Sequence, residues 1–129
     1  MPRILLVEDN RTNQIVAVGN LHKLGYDVDI ADSGADAVPL LLAVRYDAVL
    51  MDVMMPGIDG YEATRQIRDL EATHHMPRVP VVGLSARALP QDRAVALDAG
   101  MDDYLTKPLC VAALGETLRR LIAGSLVGP

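Results

Sequence analysis

The sequence predicts an α/β fold, a doubly wound parallel sheet with helices on both faces. Short continuous aliphatic runs alternate with longer amphipathic stretches, and the alternation repeats five times in about 120 residues. A run that is apolar throughout, with no alternating polar positions, is the pattern of a strand buried on both sides. Repetition of strand and helix at this period implies right-handed crossovers.

Ile4-Leu5-Leu6-Val7, between Arg3 and Glu8-Asp9, is the first strand. Asn10 or Thr12 caps a helix whose apolar positions Ile15, Val18, Leu21 and Leu24 recur at three-residue spacing and which stops near Gly25. Val28 and Ile30 mark a short second strand, and Ser33 caps a helix through Leu42. Inside that helix Pro39 removes a backbone donor and crowds the preceding turn, at about 3 kcal/mol in a regular helix, so a kink or wide turn is expected there. Ala48-Val49-Leu50-Met51 is the third strand, and Gly60 opens a helix carrying Tyr61, Thr64, Ile67 and Leu70. His74, His75 and Pro77 fall in a polar loop before a fourth strand from Val79 to Leu84, where Pro80 is tolerable only near the start. Pro90 suits the first turn of a helix ending at Gly100. Tyr104-Leu105 is a short fifth strand, and the last helix, with Leu114, Leu118 and Leu121 on one stripe, runs from about Cys110 to Ala123.

Composition bounds the function. A chain of 129 residues that is 50% hydrophobic is long enough for one domain with a sizeable core; residues 1–123 are assigned to it and 124–129 to a frayed tail or the start of a linker. Four Tyr with no Phe or Trp leave the core aliphatic and argue against a base-stacking platform. With 17 acidic against 12 basic residues and no basic run, neither nucleic acid nor membrane insertion is expected. The single cysteine cannot form an internal disulfide, and no segment approaches the roughly 18 apolar residues of a membrane span. A soluble protein of the reducing cytoplasmic compartment is expected.

In doubly wound sheets, ligands sit beyond the carboxyl ends of the strands, where the strand order reverses. The residues there are Glu8-Asp9 after strand one, Asp52 after strand three, Ser85-Ala86 after strand four and Lys107-Pro108 after strand five. Strand two contributes nothing distinctive, as befits an edge. If strands one, three, four and five are neighbours, three carboxylates, a hydroxyl and an ammonium converge on one crevice. Clustered carboxylates repel unless a cation neutralises them, and hard oxygen donors suit Mg2+. Taken singly, Glu8-Asp9 reads equally well as a solvated loop and Asp52 as a turn residue or helix cap. Beside a divalent cation, however, Asp52 is a credible nucleophile toward a phosphoryl group, with Lys107 and Ser85 placed to hold its oxygens.

The segments Ile4-Leu5-Leu6-Val7-Glu8-Asp9-Asn10, Met51-Asp52-Val53-Met54-Met55-Pro56 with Asp59-Gly60, Leu84-Ser85-Ala86, and Gly100-Met101-Asp102-Asp103-Tyr104-Leu105-Thr106-Lys107-Pro108 together resemble the receiver domain of bacterial two-component response regulators. The resemblance covers residues 3 to about 123 and implies a flavodoxin-like sheet in the order 2-1-3-4-5. It implies that Asp52 accepts phosphate from a phosphohistidine on a histidine kinase or histidine phosphotransfer protein. Asp9, Asp52 and the Met54 backbone carbonyl would hold Mg2+, with Glu8 acting largely through water. Ser85, Ala86 and Lys107 would bind the phosphoryl group, and Tyr104 would be the switch aromatic, turning inward and shifting the surface of helix four, strand five and helix five toward a downstream partner. The family's usual cis Lys-Pro bond is expected at Pro108. Asn10, Asn13 and the methionine-rich segments look more like receivers of hybrid sensor histidine kinases than like those fused to DNA-binding domains.

Met54 and Arg87, two residues past Asp52 and Ser85, stand where the family tunes access of hydrolytic water. Met54 has neither a base nor an amide, so slow self-dephosphorylation is expected. The adjacent His74 and His75 lack further ligands at metal-binding spacing and read as loop residues. Cys110, at the start of a helix, reads as a small, partly buried residue rather than a reactive thiol. Such a switch turns over no external substrate. An aspartyl-phosphate phosphohydrolase would want a second Asp where Met54 stands, and a flavin carrier a hydroxyl- and glycine-rich loop where Glu8-Asp9 stands. A degenerate receiver that only docks partners would lack some of the site residues present here.

Overall fold

The computed structural model describes residues 2–55, 57–86 and 90–127. Five strands alternate with five helices: β1 (Arg3–Val7), α1 (Arg11–Lys23), β2 (Asp27–Ala31), α2 (Gly34–Ala43), β3 (Ala48–Asp52), α3 (Gly60–His74), β4 (Val81–Ser85), α4 (Pro90–Ala99), β5 (Asp103–Thr106) and α5 (Val111–Val127). All pairings are parallel and the order is β2-β1-β3-β4-β5, as the sequence implies. β1 lies between β2 and β3, with the first crossover leading to one side of it and the next to the other. The reversal of strand order therefore lies between β1 and β3.

Successive strand residues face opposite sides of the sheet, and the core divides accordingly. Leu5, Val7, Val49, Met51 and Val81 pack with Ala37 and Leu41 of α2, Ala63 and Ile67 of α3 and Ala96 of α4. Ile4, Leu6, Leu50, Val82 and Leu84 pack on the other face with Ala17 and Leu21 of α1 and Leu114, Leu118 and Ile122 of α5. Short polar side chains fix three helix starts by accepting the amide three residues on: Asn10 from Asn13, Ser33 from Asp36, and Asp59 from Glu62. Asn10, not Thr12, is thus the cap of α1.

Several local expectations need correction. Ile15 is 63% exposed. The buried face of α1 is Gln14, Ala17 and Leu21, with Val18 and Leu24 partly buried against the same cluster, so of the four apolar positions only Ile15 leaves the core and a polar side chain takes its place. β4 starts at Val81 rather than Val79, because the Val79 amide donates to Glu71 Oε2 and Pro80 has no amide to give. His74 is the last residue of α3 and His75 is its left-handed cap at φ 54°, so neither belongs to the loop proper. Cys110 is exposed rather than partly buried. α2 includes Pro39 within its ten residues, whereas α5 runs on to Val127 past the expected end at Ala123, since one Gly costs a helix only about 1 kcal/mol.

Two ionic clusters brace the sheet. Arg68 of α3 donates to both Glu71 oxygens, the Val79 carbonyl, the Gly100 carbonyl and Asp102, tying α3 to the segments that enter β4 and β5. Asp103, at the start of β5, is buried between Arg93 of α4 and Arg120 of α5. The Arg68 side chain is only 15% exposed, so its removal leaves the buried Glu71 carboxylate without its cation and the Val79 carbonyl without its donor, while Asp102 and the Gly100 carbonyl keep Arg78. Arg68→Met is expected to destabilise the domain by roughly 3 kcal/mol in chemical unfolding, and a loss below about 0.5 kcal/mol would show the cluster to be energetically idle.

Candidate functional site

Strand register assembles the site. Val7 pairs with Met51, so Glu8 comes level with Asp52; Asp52 pairs with Leu84, one residue before Ser85; and Ser85 pairs with Thr106, one residue before Lys107. Ends of four adjacent strands thereby bring together groups as much as 99 positions apart in the chain. α3 opens hard against this edge: a Cβ on Gly60 would lie 2.3 Å from the Asp52 carbonyl oxygen, so only glycine permits the approach.

Glu8 and Asp52 are buried and Asp9 is exposed. One carboxylate oxygen from each of the three lies within 4.8 Å of the others. Lys107 Nζ sits 3.0 Å from Glu8 Oε1 and 3.3 Å from Asp52 Oδ1. Asp52 Oδ1 also accepts the Met54 amide at 3.2 Å. Ser85 is buried, and its carbonyl accepts the Lys107 amide; the Lys107–Pro108 bond is cis. Ala86 is exposed at the bend after β4. The Met54 side chain is 76% exposed. Tyr104 is buried beside Gly83 and Met101, near Tyr61 of α3. Arg87 and Pro56 lie outside the described residues.

Burial and the neighbouring Asp52 carboxyl push the Glu8 carboxyl up to about 7, against the opposing pull of Lys107. Glu8 Oε2 is buried and has no hydrogen-bond partner among the described residues. Three hard oxygen donors, a single ammonium between the two buried ones and one unpartnered oxygen make a donor set that fits a small divalent cation such as Mg2+.

Two neighbours of the site were not legible in the sequence. Gln14 is buried and donates to the Glu8 carbonyl, and its signal is a polar residue in step with Ala17 and Leu21. Tyr61 is expected only as one of the residues along α3, and nothing in the sequence marks its proximity to Tyr104.

The raised Glu8 value has a definite sign in stability. Between its ordinary value of 4.5 and about 7 the folded state holds a proton that the unfolded chain has released, so stability falls as pH rises through this window. The thermal midpoint in EDTA is expected to drop from acid to neutral pH, and Glu8→Gln to flatten that slope. A wild-type midpoint that instead rises across the window would contradict the assignment.

Comparison with known proteins agrees with this geometry. A family model described as the response regulator receiver domain matches residues 4–119. The sensor protein GacS of Pseudomonas syringae pv. syringae is 38% identical over 128 residues, 99% of this chain but 14% of that protein, so the chain spans about one seventh of this curated relative. Among solved structures, the receiver domain of the sensor histidine kinase PA1611 from Pseudomonas aeruginosa PAO1, with a magnesium ion in its active-site cleft, is 48% identical at a TM-score of 0.83, covering 95% of this chain and 98% of that one. The Saccharomyces cerevisiae Ssk1 receiver domain, in complex with the histidine phosphotransfer protein Ypd1, is 31% identical at a TM-score of 0.88, covering 95% and 90% of the two chains. With four strand ends converging on one acidic crevice and the family match running from β1 into α5, the chain belongs to the response regulator receiver domains of two-component signalling.

Proposed function

We propose that the chain is a working phosphoacceptor, with Asp52 as the residue phosphorylated. The observation that carries this is Lys107 Nζ 3.3 Å from Asp52 Oδ1 inside a cluster of three carboxylates. An Asp52 oxygen attacks the phosphorus of a phosphohistidine; the new oxygen–phosphorus bond forms as the phosphorus–nitrogen bond breaks, and the imidazole leaves with the bonding pair. Lys107 follows the charge onto the phosphoryl oxygens, and Ser85 with the Ala86 backbone supplies further donors. Asp9, Asp52, the Met54 carbonyl and, through water, Glu8 would hold Mg2+, which when bound neutralises charge on the transferring group.

The donor is a histidine kinase or a histidine phosphotransfer protein. Ile15 and Val16, both exposed on α1 just past Asp9, and exposed Met54 across the cleft give the site an apolar rim suited to a protein partner rather than a small metabolite. The Ssk1 receiver bound to Ypd1 and the sensor kinases among the relatives support that class of partner and a hybrid kinase as the parent chain. Tyr104 and the Asp103-pinned pair α4 and α5 form the responding surface, read by a downstream protein. The domain acts in the cytoplasm.

Incubation with Mg2+ and acetyl phosphate is expected to add one phosphoryl group by mass spectrometry and to shift amide resonances of β4, α4 and β5, whereas Asp52→Asn stays unmodified. A variant that still gains the group would overturn the site. A second outcome concerns lifetime. Because Met54 offers no group to orient water, the phosphoryl group is expected to persist for minutes or longer after removal of the donor, and release within seconds would refute that role for Met54.

A further inference from the structure

We infer that Gln14 is a positioning residue for the cation-binding carboxylates, an inference that rests on the phosphoacceptor reading above. Its neighbours Arg11, Thr12, Asn13, Ile15 and Val16 are all exposed, yet Gln14 is 7% exposed. Its Nε2 donates to the Glu8 backbone carbonyl at 2.6 Å and to Asp32 Oδ1 at 2.8 Å. A primary amide nitrogen carries two hydrogens, and both are directed at acceptors that can do nothing but accept, which fixes the orientation of the amide.

The Glu8 carbonyl is half of the planar peptide that joins Glu8 to Asp9, so holding it fixes the ψ of Glu8 and the φ of Asp9 together. The amide of Glu8 is separately tied to the carbonyl of Ala31, the last residue of β2, at 3.1 Å. One buried amide thereby locks β1, the end of β2 and α1 around the peptide from which two of the three carboxylates project. Neither Glu8 nor Asp9 can reorient without breaking it. A carboxylate at position 14 would offer no hydrogen to the carbonyl, and an aliphatic side chain would fill the space while leaving the carbonyl unpartnered.

The test is Mg2+ titration of the full chain followed by amide NMR, on the wild type, Gln14→Leu and Asp32→Ala. Groups that orient metal ligands from behind typically change affinity 10- to 100-fold when removed; Gln14 acts through the backbone, so Gln14→Leu is expected to raise the Mg2+ Kd about tenfold. At saturating Mg2+ the rate of phosphorylation by acetyl phosphate is expected to return to within about twofold of wild type, a separation of half-saturation from maximal rate that a generally damaged fold would not give. Asp32 is exposed, so Asp32→Ala keeps the fold and removes only the far anchor of the amide; a two- to threefold rise in Kd, roughly, is expected. An unchanged Kd in either variant overturns the inference alone. Absence of Mg2+ binding by the wild type overturns the phosphoacceptor reading and the inference with it.

Discussion

Two carboxylates are held out of water at the end of one sheet with a single ammonium between them, and much of the molecule follows from keeping them there. Left to themselves Glu8 and Asp52 would repel and draw in solvent. The register of β1 against β3 brings them level, and the absence of a side chain at Gly60 lets α3 close over the Asp52 carbonyl. Lys107, delivered by β5, bridges both. The price is an acidic site whose charge is incompletely matched, which suits it to a small divalent cation.

β5 links this chemistry to the outer surface. Its four residues carry Asp103 between Arg93 and Arg120 and Tyr104 in its seat beside Gly83, and the next residue is Lys107 at the site. α4 and α5 are therefore pinned to the same short strand that places Lys107 beside Asp52. Arg68 stiffens the opposite end, where the chain enters β4 and β5. The sheet is thus braced at its entry and charged at its exit, a division that confines rearrangement to one end.

The layout of the fold was legible because parallel strands buried on both faces must be apolar throughout, and Ile4 to Val7 and Ala48 to Met51 admit few other readings. The site was legible for a related reason, since residues directly after such strands have only one place to be. What escaped was whatever depends on contacts across the chain. Ile15 fits the apolar spacing of α1, but Gln14 wins the buried face because its amide finds two acceptors there. Val79 looks like strand, but its amide is claimed by Glu71 of α3. Cys110 has a small side chain suited to burial, yet it stands before α5 where nothing covers it. The first two are local preferences overruled by a side-chain hydrogen bond to another element, and the third is a small side chain left without cover.

Met54 stands two residues from Asp52, yet its side chain projects into solvent and its amide, the part that touches the nucleophile, is common to all residues but proline. That side chain can therefore be changed without repacking the core or disturbing the carboxylates. On the phosphoacceptor reading proposed above, the lifetime of the phosphoryl group is separable from the chemistry that forms it.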